Sequence, residues 1–162
     1  MASKPLTIGI VMDPIDSITP YKDSSLAMLL EATRRGAEIH YFEQKDVRLL
    51  SGKALGQSTL LQVRDDNDDW YSLGERQDVE LGALDAILMR KDPPFDMEYV
   101  YTTYILDRAK TAGALIVNDP QALRNMNEKA YTAWFPDDTP LTLITRSMEE
   151  IRAFLILSLI HI

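Results

Sequence analysis

Apolar and polar positions alternate in blocks along the chain, and each block predicts an element. Leu6 to Met12 alternates and then runs apolar through Ile8, Ile10, Val11 and Met12, the mark of a buried strand that stops at Asp13-Pro14. Asp23-Ser24-Ser25 offers an N-cap, and Leu26, Leu29, Leu30 and Thr33 follow at helical spacing. Gly36, after the basic pair Arg34-Arg35, suits a left-handed helix end. Ile39 to Phe42 is a second short strand. A strand, one helix and a strand in that order predict parallel pairing with a right-handed crossover. Residues 45–80 read differently: Val47, Leu49, Leu50, Leu55, Leu60, Leu61 and Val63 suggest hairpin strands, with Ser51-Gly52-Lys53 between the first two. Ala86 to Met89 is a buried strand, and Met97, Val100, Tyr101, Tyr104, Ile105 and Arg108 restore helical spacing as far as Gly113. Leu115 to Val117 is another strand. Asn127 to Trp134 predicts a short helix limited by Pro136, Leu141 to Thr145 a strand, and Ser147 to Glu150 a capping box opening a helix along Met148, Ile151, Phe154 and Leu155.

Three strands end alike, at Met12-Asp13-Pro14, Arg90-Lys91-Asp92-Pro93 and Asn118-Asp119-Pro120. In a parallel sheet these ends share one edge, and the carboxyl ends of the strands are where α/β sheets hold ligands. The stretch Ala86 to Asp96 is the most pointed of the three, since a buried strand runs straight into fixed charge and two prolines. Two readings of it stand side by side. It is a ligand rim, or it is a capped connection with Asp96 as N-cap and Arg90 paired with Asp92 on the surface. For Asn118-Asp119-Pro120, capping alone is a sufficient account, with Pro120 at the first helical position.

Bulk properties narrow the field. The 162 residues fit one domain or one domain with part of another. With 46% hydrophobic and 26% charged residues the chain is an ordinary globule. A formal net charge of −8 argues against nucleic acid. No cysteine means no disulfide, no thiolate metal site and no thiol nucleophile, which fits a cytoplasmic protein. No run reaches the ~20 apolar residues of a membrane span, and the N-terminus does not read as a signal peptide. Asp65 to Asp69 has the opening spacing of a calcium loop, but Trp70 stands where glycine is needed and Arg76 where glutamate is needed, so a solvated turn is expected. Neither a P-loop nor a dinucleotide fingerprint is present, and His40 and His161 give no triad, His40 reading as a core or surface histidine.

Several segments in order resemble the bacterial glutathione synthetase family of the ATP-grasp superfamily: Ile8-Gly9-Ile10-Val11-Met12-Asp13-Pro14, Asp23-Ser24-Ser25, Ile87 through Asp96, Leu115-Ile116-Val117-Asn118, and Asn127-Glu128-Lys129 through Phe135. The resemblance runs from about residue 6 to residue 153 and is most specific at Arg90-Lys91-Asp92-Pro93-Pro94-Phe95-Asp96. It implies a three-layer, Rossmann-like α/β domain of parallel strands (the pre-ATP-grasp domain) over residues 1–126, with an inserted hairpin region, and the first elements of an ATP-grasp domain over 127–162. It further implies an ATP- and Mg2+-dependent ligase joining γ-glutamylcysteine to glycine through an acylphosphate, in a family that is usually oligomeric. Asp13, Arg90, Lys91 and Asp92 fall on the substrate side, and Lys129 aligns with a lysine that contacts ATP. No catalytic residue and no metal ligand is assigned within the chain.

After Phe154 the likeness lapses. The family's lysine-bearing strand, glycine-rich lid and metal carboxylates do not follow, and Leu155 to Ile162 is apolar on every side. The expectation is a truncated chain that does not catalyse ligation by itself and whose tail associates non-specifically. Two alternatives remain at this point: a non-catalytic α/β binding domain, and an ATP-grasp ligase with another acceptor amine.

Overall fold

The computed structural model describes residues 4–127 and 129–159, the last two of these in backbone only. It divides into two compact units, Met1–Arg124 and Asn125–Ile162. The first is built on one seven-stranded sheet. Strands β1 (Thr7–Val11), β2 (Glu38–Phe42), β3 (Val47–Leu50), β4 (Lys53–Val63), β5 (Tyr71–Glu80), β6 (Ala86–Met89) and β7 (Leu115–Val117) are joined by helices α1 (Ser24–Arg34) and α2 (Met97–Ala112), and α3 (Pro120–Asn125) follows. The block β2-β1-β6-β7 is parallel throughout. β4 turns the sheet antiparallel against β2, with β3 and β5 paired to it, which is the predicted hairpin region.

Alternation along the strands explains the layers. In β1, Val11 points into a core with Phe42, Ile87, Leu106 and Ala109, on the α2 face. Its neighbours Ile10 and Met12 join Leu26, Leu29, Ile39 and Tyr41 on the α1 face. Two faces, each closed by a helix, make the expected α/β/α sandwich. Gly56 in β4 is required by packing, since a Cβ there would stand 2.6 Å from the Phe42 ring. Asp23 caps α1 by accepting the Leu26 N–H at 2.7 Å, and Gly36 lies beyond its end at φ +75°.

α2 departs from its apolar spacing. Tyr99, Thr102, Thr103, Leu106 and Ala109 are buried, while Met97, Tyr101 and Tyr104 face outward. The threonines can enter the core because their hydroxyls donate to the Glu98 and Val100 carbonyls, at 2.9 and 2.6 Å. His40 is buried with Ser58 on one ring nitrogen and Glu38 on the other, a satisfied core histidine. The acidic turn after β4 is closed by Asp66, whose carboxylate accepts the Asp68 and Asp69 N–H groups.

In the second unit, two predicted elements differ. The helix from Asn127 to Trp134 is a 3-10 segment over Ala130–Trp134, because the Asn127 carboxamide takes the Lys129 and Ala130 N–H groups and tightens the start. Leu141 to Thr145 is irregular rather than a strand, for the sheet contains no strand from this part of the chain and an unpaired strand has nowhere to place its backbone groups. Helix α4 (Met148–Leu159) forms as expected, with Ser147 accepting the Glu150 N–H at 3.2 Å. Glu150 takes the Thr145 hydroxyl instead of completing the capping box. Of the apolar tail, Leu155, Ile156 and Leu157 are exposed, and Ile160 to Ile162 lie outside the described residues.

Candidate functional site

Because β1, β6 and β7 are adjacent and parallel, their carboxyl ends share one rim. Ladder bonds carry the chain to it: the Met12 N–H donates to Phe42 and the Arg90 N–H to Val11, at 3.1 and 2.8 Å. Asp13 then binds the β6 corner twice, with one oxygen 2.9 Å from Lys91 Nζ and the other accepting the Asp92 N–H at 3.0 Å. Below it the Tyr41 hydroxyl accepts the Ile15 N–H at 3.2 Å and donates to the Asp13 carbonyl at 3.4 Å, stitching the turn after β1 to β2. Burial, reinforced by the Glu43 carboxylate, pushes the Tyr41 phenol well above its ordinary pKa, so it stays a donor.

Arg90 takes the opposite course to its neighbour. Its Nε donates to Ser25 Oγ at 3.0 Å and its Nη2 to Ser24 Oγ at 2.8 Å, on the first turn of α1. The surface pair of Arg90 with Asp92 that the sequence allowed does not form, because the helix hydroxyls reach the guanidinium first and Asp13 claims the Asp92 backbone. Asp96 does cap α2, accepting the Tyr99 N–H at 2.9 Å.

These groups border a cleft of about 380 Å³ between the strand ends and the start of α1. Asp13, Arg90 and Asp92 all line it, together with Lys22, Asp23, Ser24 and Ser25. Lys91 does not. It lines a neighbouring hollow of about 200 Å³ with Asp13, Glu43 and Glu98. The charges in the cleft are unequal in availability. Asp23 is occupied as a cap and Asp13 by the Lys91-Asp92 corner. Arg90, Lys22 and Asp92 form no ion pair among the described residues. What remains is a polar recess with two cations and one carboxylate, suited to a small ligand that carries both signs.

The third strand end is a cap, as capping alone would have it. Asp119 accepts the Gln121 and Ala122 N–H groups at 3.0 and 3.1 Å and pairs with Lys110; the lysine first, and then these backbone donors, hold its carboxyl below the usual range. Lys129 belongs to the second unit, where its side chain is exposed and its carbonyl accepts the Thr132 hydroxyl at 2.6 Å. Among the described residues no three His, Asp or Glu side chains converge to hold a metal ion. Ser24, Ser25 and Lys22 were not legible as site residues. Asp23-Ser24-Ser25 reads as a cap, and only the adjacency of β1 and β6 brings that cap to Arg90.

The sequence profile of the prokaryotic glutathione synthetase N-terminal domain matches residues 6–124. The chain is 57% identical over 149 residues to the glutathione synthetase of Vibrio parahaemolyticus, and 56% identical over the same length to those of Vibrio vulnificus and Citrobacter rodentium. Each alignment covers 92% of this chain and 47% of the relative, so the chain spans about half the length of these relatives. The rim therefore sits in the segment that carries the family profile, and the chain belongs to the prokaryotic glutathione synthetase family.

Proposed function

We propose that the cleft at the β1 and β6 ends is the acid-substrate side of a glutathione-forming ligase, and that it takes γ-glutamylcysteine. The observation that supports this most is Arg90, a guanidinium bordering the cleft, held by two neutral hydroxyls and paired with no carboxylate among the described residues. A charged donor fork kept free of internal acids is the complement of a ligand carboxylate. Asp92, on the same wall, can receive an ammonium. The γ-glutamyl end of γ-glutamylcysteine bears one α-carboxylate and one α-ammonium, so it matches both. Asp13 and Lys91 neutralise each other and hold the corner that presents these groups.

In this reading the whole reaction is ATP-dependent. The cysteinyl carboxylate takes the γ-phosphoryl group with release of ADP, and the glycine amine then displaces phosphate from the acylphosphate carbon. Residues 127–162 are the opening of the nucleotide module, with Lys129 as one cation toward ATP. The resemblance at Asn127 to Phe135 supports that assignment.

Calorimetric titration of the chain with γ-glutamylcysteine tests the cleft. Saturable heat that free glutamate and glycylcysteine, titrated in the same way, reproduce only weakly or not at all supports the reading. No heat at millimolar dipeptide overturns it. Titration with ATP-magnesium of the chain and of Lys129→Ala tests the second assignment in the same way.

A further inference from the structure

The first turn of α1 does more than begin a helix. Ser25 is 4% exposed, and its hydroxyl receives Arg90 Nε; Ser24, one residue earlier, receives Nη2. The two bonds arrive from adjacent nitrogens on one edge of the planar guanidinium. An arginine side chain left alone samples many rotamers, and a two-point contact on one edge fixes both its position and the plane of the fork. The opposite edge, with Nη1, is then left for a ligand. Hydroxyls also leave the positive charge intact, which a carboxylate in the same place would not. The contrast with Lys91 shows what that alternative looks like, since Asp13 covers its ammonium at 2.9 Å.

We propose that Ser24 and Ser25 are positioning residues that aim the Arg90 guanidinium at the ligand carboxylate. This rests on the cleft being the γ-glutamylcysteine site. The expected consequence is coupling. Ser25→Ala weakens γ-glutamylcysteine binding by about fivefold to tenfold, less than the full loss of a bond to a charged group because Ser24 still holds the fork, and Ser24→Ala by less again because that hydroxyl is exposed. In an Arg90→Ala background, neither serine change weakens binding further. Ser24→Thr, which keeps a hydroxyl, restores binding lost in Ser24→Ala.

A second readout does not depend on the ligand. The Arg90 Nε–H resonance of the full chain is expected to exchange slowly with water and to show restricted motion, and both signs of order are lost in Ser25→Ala while the melting temperature stays within a few degrees. Equal losses from Ser25→Ala with and without Arg90, or an Arg90 Nε–H as mobile in the parent as in the variant, would overturn the positioning role. If the parent chain binds no dipeptide yet Arg90 is ordered by the serines, the substrate assignment fails and the positioning role stands.

Discussion

The two units of the chain treat apolar residues in opposite ways. Every buried hydrophobic side chain among the described residues lies at or before Pro120. In the second unit Trp134, Phe135, Leu141 and Ile144 are 67, 53, 72 and 63% exposed. The first unit thus spends its hydrophobic residues on two closed cores, and those cores fix the strand ends from which Asp13, Arg90 and Asp92 act. Among the described residues the second unit forms helix α4 and short 3-10 turns but buries no hydrophobic side chain. A site assembled from strand ends and a helix start therefore has a rigid frame, whereas Lys129 stands on a segment with no buried core among its described residues.

Breaking that contrast gives the largest expected effect. Phe42→Ala empties the centre of the α2-side core and should cost about 3–5 kcal/mol, whereas Trp134→Ala should change stability by no more than about 0.5 kcal/mol. Urea unfolding followed by far-ultraviolet dichroism reads both. Next comes the cleft itself. Arg90→Ala should reduce γ-glutamylcysteine affinity by on the order of 1.5–3 kcal/mol, the range for bonds to a charged group, with little change in urea midpoint. Asp13→Asn is milder. It releases Lys91 but keeps an oxygen for the Asp92 N–H, so a stability loss under about 1 kcal/mol and a smaller affinity loss than Arg90→Ala are expected, measured in the same two assays.

The smallest effect is a matter of pH. Hydrogen bonds from Arg34 and then Arg35 lower the Glu31 carboxyl from 4.5 to about 2. A depressed carboxyl stabilises the fold above its unfolded pKa, and that contribution fades as pH falls from about 4.5 toward 2. Glu31→Gln should therefore flatten the acid limb of the melting-temperature profile slightly and leave neutral pH nearly unchanged, which a thermal melt series from pH 7 to 2.5 will detect.

Much of the frame was legible. Alternation in β1, the Asp23 and Asp96 caps, the Gly36 end and the hairpin texture of 45–80 each follow from local chemistry, and local chemistry is what a sequence displays. Three features needed the third dimension. The outward turn of Tyr101 and Tyr104 depends on threonines satisfying their own hydroxyls inside the core. The fate of Leu141 to Thr145 depends on a partner strand, which no pattern within five residues reveals. And Arg90-Lys91-Asp92 reads as one run of charge, yet neighbours contributed by β1 and α1 divide it into a neutralised lysine and an available arginine.

Chemical-shift mapping tests the central claim most directly. In 1H–15N spectra of the labelled chain titrated with γ-glutamylcysteine, the account predicts saturable shifts at Ser24, Ser25, Arg90 and Asp92, with residues at the amino ends of the strands, such as Glu38 and Ala86, unmoved. Shifts confined to those amino ends, or a spectrum unchanged at saturating dipeptide, would contradict it.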